Sequence, residues 1–190
     1  MTGRDGVRAA LLVALLSGAL RAESPFVQAA TVLQDSAPEI EIKAFFLLNF
    51  SRFTEWPEST FAGNPEEFRI GVLGPESSLE PLQRTLAGKS VGKRAIKLVR
   101  AVVPDDLKGC ALVFISDAEK SQIPAALATF KGLPVLTVGE TEGFAESGGI
   151  LNFYVENNKV KYEINPDALG RAQLKATKLI LAAPKKVKDR

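Results

Sequence analysis

From residue 39 to residue 54 apolar side chains recur at helical spacing. Ile40, Ala44, Leu47, Leu48 and Ser51 form one stripe, and Phe45, Phe46, Phe50 and Phe53 widen it. This pattern predicts a strongly buried first helix over Glu39–Thr54. Pro38 suits its start, and Trp56-Pro57 ends it because the residue before a proline is pushed out of the helical region. The Gly-, Asn-, Pro- and Glu-rich stretch 61–67 reads as a loop. Phe68–Leu73 then reads as a strand, stopped by Gly74-Pro75, and Ser77 or Ser78 is placed to cap a helix running to about Leu86.

The same rhythm continues through the middle of the chain. Ala95–Val99 predicts a strand, Pro104–Lys108 a helical turn, and Cys110–Ile115 a continuous apolar strand. Ser116-Asp117 caps a helix expected over Ala118–Thr129, and Leu133–Val138, between Gly132 and Gly139, is a further strand. Strands alternating with helices imply a mainly parallel sheet covered on both faces. The last third differs. Ile150–Val155 and Lys159–Asn165 flank Glu156-Asn157-Asn158, and Val160, Tyr162 and Ile164 alternate with Lys159, Lys161 and Glu163, which predicts a half-buried antiparallel hairpin. Asn165-Pro166-Asp167 opens a final helix with Leu169, Leu174, Leu179 and Ile180 inward, ending before Pro184, and the basic tail 184–190 is expected to fray. The expected fold class is α/β: a single three-layer αβα domain with a mainly parallel central sheet and a C-terminal antiparallel hairpin.

The N-terminus has another character. Arg4 and Arg8 precede an apolar run from Ala9 to Leu20, about a dozen residues, which suits the core of a secretory signal peptide and is short of the ~20 needed to span a bilayer. Small residues permit cleavage after Ala19 or after Ala29, and Ala29 is preferred. The expected organisation is therefore a signal peptide over 1–29, a domain over 38–183 and a basic tail over 184–190, with the processed protein periplasmic and not membrane-spanning.

Composition narrows the chemistry. With 46% hydrophobic and 24% charged residues the chain is of ordinary globular make-up, so neither disorder nor a disulfide scaffold is expected. The formal net charge is +2, too small to mark a nucleic-acid partner. The sequence contains no histidine and one cysteine, Cys110. A Ser-His-Asp or Cys-His nucleophile, a histidine zinc site and an intrachain disulfide are thereby excluded. Cys110 lies far from any cleavage site, so it is not a lipoprotein anchor, and its apolar neighbours predict a buried thiol. No cofactor and no metal site are expected.

Several segments together resemble the YfiR-like family of periplasmic regulators, many of whose members are filed as a domain of unknown function. They are Lys43–Pro57 with its closing Glu55-Trp56-Pro57, Ile70–Gly74, Cys110–Ser116, Pro134–Gly139, Gly143–Phe153 and Glu163-Ile164-Asn165. The resemblance implies a periplasmic repressor acting on the sensor part of an inner-membrane diguanylate cyclase and sequestered in turn by an outer-membrane lipoprotein, hence a role in cyclic-di-GMP signalling and biofilm control. Studied relatives use disulfides, which this chain with one cysteine cannot form.

Two sets of residues are candidates for function. Phe46, Phe50, Phe53 and Trp56 belong to an aromatic cluster covering more than one helix face, and whatever the core leaves uncovered would form a partner or homodimer interface. Gly74, Ser77, Ser116, Gly139 and Thr141 lie in three loops at the carboxyl ends of predicted parallel strands, where ligand crevices form; none of these loops matches a nucleotide fingerprint. Asp105-Asp106 and Glu140 with Glu142 are the closest carboxylate pairs for hydrolytic chemistry. The favoured expectation is a non-enzymatic regulator with no catalytic residues. A small-molecule binding module is the alternative, and an envelope hydrolase comes third.

Overall fold

The computed structural model describes residues 38–182 and 185–189. The predicted signal peptide, residues 1–29, lies outside the described residues. Helix α1 (Glu39–Arg52) leads into β1 (Thr54–Glu55), a short 3-10 turn and β2 (Glu67–Leu73). Helix α2 (Glu76–Leu86), β3 (Ser90–Val91) and β4 (Arg94–Ala101) follow, then β5 (Leu112–Ile115), α3 (Ile123–Phe130) and β6 (Leu136–Gly139). The chain ends with β7 (Leu151–Glu156), β8 (Lys159–Ile164), α4 (Pro166–Arg171), β9 (Lys175–Ala176), α5 (Lys178–Leu181) and β10 (Lys185–Lys186).

Eight strands form the central sheet in the order β10-β8-β7-β6-β5-β2-β4-β3. Every pairing from β4 through β7 is parallel, and β7–β8 and β3–β4 are antiparallel. The inner strands are buried along their whole length, which is why they read as unbroken apolar runs. Their residues alternate between two cores. Leu112, Phe114, Leu136 and Val138 meet α1 and α2 on one face, while Val113 and Ile115 meet α3 on the other. The result is the three-layer αβα domain expected, with its hairpin turning through Asn157 and Asn158, both at positive φ (52° and 59°), as a two-residue turn between strands requires.

Four local expectations need correction. Helix α2 starts at least two residues early, at Glu76, behind Pro75 and without a side-chain cap, so Ser77 and Ser78 sit inside its first turn. The helix expected over Ala118–Thr129 is two pieces, a 3-10 segment Asp117–Gln122 and then α3, because Pro124 has no N–H to donate backwards and its ring clashes with the preceding turn. The final helix is broken after Arg171: Gln173 is left-handed (φ 56°), and β9 pairs antiparallel with β1 before α5 begins. The tail does not fray at its described residues. Strand β10 pairs parallel with β8, the Val187 N–H donates to the Ile164 carbonyl at 2.9 Å, and the Val187 side chain is buried.

Candidate functional site

The aromatic candidates divide by depth. Phe46 and Phe50 are 4% and 0% exposed and join the main core. Phe50 stands 5.8 Å from Phe46 and from Phe153 and meets Tyr162 edge-on at 4.9 Å, so its whole surface is used inside the chain. Phe53 and Trp56 stay half-buried at the border of this core. Trp56 packs edge-on against Phe68 at 5.1 Å, and its indole N–H donates to the Ala111 carbonyl at 3.0 Å, at the entry to β5. That bond accounts physically for a tryptophan at this position: one side chain closes a core edge and adds a second donor to a carbonyl that already accepts from the Leu136 N–H at 2.9 Å.

The three loops meet at one end of the sheet. The chain leaves β2 for β4 on one side and returns to β5 on the other, so the switch in strand order lies between β2 and β5, with Gly74 and Ser116 at its lip. A single carboxylate organises the place. Glu140 Oε1 accepts from the Ser116 hydroxyl and the Asp117 N–H, both at 2.9 Å, and Oε2 accepts from Lys43 Nζ at 2.6 Å. Lys43, buried on α1, is also paired with Glu39. Burial opposes its charge, but the hydrogen bonds it donates to Glu140 and Glu39 outweigh that and hold its pKa above the usual lysine value. Thr141 closes the ring by donating to Asp117 Oδ1 at 2.8 Å.

Each crevice candidate thus has a defined place. Ser116 and Thr141 are brought together. Gly74 packs beneath Ser116, where a Cβ would stand 3.1 Å from the serine Cβ. Gly139 receives the Phe144 ring, and a Cβ there would fall 2.4 Å from it. Ser77 is exposed on α2, outside the network. The groups suited to an external anion, namely a hydroxyl, a loop N–H and a buried ammonium, are all engaged by Glu140, so the crevice holds an anion of its own.

Asp105 is one of the carboxylates that the sequence offered for acid chemistry. A general acid needs a raised pKa. Asp105 goes the other way, held below the ordinary aspartate value by hydrogen bonds from Thr129 and Lys108. Among the described residues no group of three His, Cys, Asp or Glu side chains is arranged to hold a metal ion. Burial pushes the Cys110 thiol up to about 11.

A second polar network, missed by the reading of candidate sites, lies where the tail meets the hairpin. Glu163, nearly buried, accepts from Asn152 Nδ2 at 3.2 Å and Lys185 Nζ at 2.6 Å. Asn165, fully buried, caps α4 by accepting from the Ala168 N–H at 3.0 Å and donates to the Ala145 carbonyl at 2.7 Å and to Asp189 at 2.5 Å. Asp189 also pairs with Arg171 at 2.6 Å. Two cavities flank this network. One of about 430 Å³ is lined by Glu140, Glu142, Glu146, Glu163 and Lys185. The other, about 490 Å³, opens between α3 and α4. The sequence signals for this region were Gly143–Phe153 and Glu163-Ile164-Asn165 within the family resemblance and Asn165 at a helix start; the tail residues carried none.

Comparison with known proteins adds the following. A family model described as YfiR/HmsC-like matches residues 40–182. No curated protein matches the sequence. Among solved structures, one titled a conserved domain protein from Vibrio cholerae is similar with a TM-score of 0.50 at 12% identity, over 78% of this chain and 60% of that one. Another, titled the ABC domain in complex with L-Trp from Streptococcus pneumonia, gives a TM-score of 0.49 at 10% identity over 68% of this chain and 58% of that one. The chain thus spans about three fifths of the length of each. The Vibrio likeness is one of fold alone.

Proposed function

Because the chain belongs to the YfiR/HmsC-like family, whose members are periplasmic regulators of cyclic-di-GMP signalling rather than catalysts, we propose that it binds the periplasmic sensor part of an inner-membrane signalling protein and represses a diguanylate cyclase. The family match over the whole αβα domain carries this reading. In the same reading the protein is exported, acts as a homodimer and is sequestered by an outer-membrane lipoprotein. Among the described residues no helix is long and apolar enough to cross a membrane. Of the aromatic set, Phe53 and Trp56 could reach a partner, while Phe46 and Phe50 would act through the core behind them.

The test is cross-linking of the tagged protein in its own envelope with mass spectrometry of what is captured, alongside measurement of cellular cyclic-di-GMP after deletion of the gene. Capture of one inner-membrane signalling protein and a rise in cyclic-di-GMP are expected. Self-links alone, with an unchanged nucleotide level, would overturn the reading. A small-molecule binding module remains a second reading, favoured by the cavity between α3 and α4.

A further inference from the structure

The cavity between α3 and α4, about 490 Å³, lies within the size range of small-molecule sites, roughly 300–1,000 Å³. Its walls are apolar, from Leu127, Phe130, Val135 and Ile150. Its charged lining consists of Lys131, Arg171 and Asp189. Among the described residues Lys131 has no acidic partner. Arg171 does have one, and that partner comes from the tail: Asp189 pairs with it at 2.6 Å while accepting from the buried Asn165 amide at 2.5 Å. An apolar chamber with two cations and one tethered carboxylate is complementary to an apolar body bearing a single anionic group.

The tether is slight. Residues 185–189 are held by the two-residue strand β10, the Val187 N–H bond to Ile164 at 2.9 Å, and the side-chain contacts of Lys185, Val187 and Asp189. Little packing would be lost if the segment lifted away. We propose that this cavity binds a small apolar carboxylate whose anionic group takes the place of Asp189 on Arg171, with Lys131 as a second cation, releasing residues 185–189 from the sheet edge. The site is separate from the Glu140 crevice, and it stands whether or not the protein represses a cyclase. Binding would turn occupancy of the cavity into exposure of the β8 edge, since β10 is the strand that covers part of it.

The experiment uses the purified protein with its C-terminus intact. Sodium octanoate and 4-phenylbutyrate are titrated by calorimetry, with octylamine and octanol as cationic and neutral controls. Hydrogen exchange is followed at the Val187 amide. Saturable binding of an anionic probe, with faster exchange at Val187, is expected. Arg171→Gln should weaken it at least tenfold, and Asp189→Asn, which removes the competing carboxylate, should tighten it at least threefold. Ala128→Trp, at an exposed α3 position lining the cavity, should block binding without moving the unfolding midpoint. No saturable binding of either anion, equal binding of octylamine or octanol, or indifference to both Arg171→Gln and Ala128→Trp would each overturn the proposal.

Discussion

Replacing Phe50 by alanine separates a core role from an interface role for the aromatic cluster. The ring is 0% exposed and contacts three other rings, Phe46, Phe153 and Tyr162. Truncating a buried phenylalanine costs about 3–5 kcal/mol through lost burial and the cavity left behind. Aromatic pairs add roughly 0.5–1.5 kcal/mol each beyond burial, which places Phe50→Ala toward the upper end, about 4–5 kcal/mol. Domains are stable by only about 5–15 kcal/mol, so this is about a quarter or more of the total. For a domain of this size each kcal/mol shifts the melting temperature by about 2–4 °C, giving a drop of about 8–20 °C. Urea unfolding followed by circular dichroism measures it as a lower midpoint at unchanged slope. A loss below about 1 kcal/mol would show that the ring is not the packed core element described here. It follows that Phe50→Asp, which would bury a charge beside three rings, cannot serve as an interface control, because it would disrupt the fold before it reported on a partner. Trp56→Phe is the gentler probe: it keeps a ring on Phe68 and removes only the indole donor to Ala111, whose carbonyl keeps the Leu136 N–H, at about 0.5–1.5 kcal/mol.

Other expectations follow from single contacts. Gly149→Ala would place a Cβ 2.1 Å from the Phe144 ring and should destabilise by about 1–3 kcal/mol, with Phe144→Leu in the same chain restoring part of the loss, as read by thermal melts. Cys110, with its thiol pushed up to about 11 by burial, should stay unlabelled by a thiol reagent at pH 8 until denaturant is added; fast labelling of the native protein would contradict the burial. Lys43→Met should cost on the order of 2 kcal/mol by leaving Glu140 with two donors. Since the folded pKa of Lys43 is raised above its ordinary 10.5, the stabilisation it supplies is complete below that value and disappears as pH rises through the folded pKa, so the variant should lose less stability than the parent in that alkaline range. Asp189 behaves oppositely. Hydrogen bonds from Asn165 and Arg171 lower its pKa, so docking of the tail is fully supported above about 3.8 and is lost as pH falls through the lower folded value, seen as faster Val187 exchange after correction for intrinsic rates.

Much of this architecture was written in short-range pattern. The apolar runs of β5 and β6 and the Asn157-Asn158 turn need only neighbouring residues to be read, because burial on both faces and positive φ each leave a local mark. Pro124 left a mark too, but its effect, splitting one expected helix in two, competes with the N-cap at Ser116 and the apolar stripe beyond it. The break after Arg171 had only Gly170 as a local signal. It depends on the pairing of Thr54 with Ala176, more than a hundred positions away, which outweighs the helical tendency of the segment.

Sequence alone was enough to determine the layered αβα class and to exclude histidine, disulfide and multi-cysteine chemistry, since these rest on periodicity and on which side chains exist. Family membership was legible for the same reason, in motifs such as Glu55-Trp56-Pro57 and Glu163-Ile164-Asn165, although what those residues do was not. Only the tertiary structure decided that Phe46 and Phe50 are spent in the core, that Glu140 fills the crevice between the loops, and that Asp189 returns to Arg171. Each is a meeting of residues far apart in the chain, joined by hydrogen bonds or ring contacts whose partners the folded sheet alone selects. Periodicity records which way a side chain faces; it holds no record of what will be there to meet it.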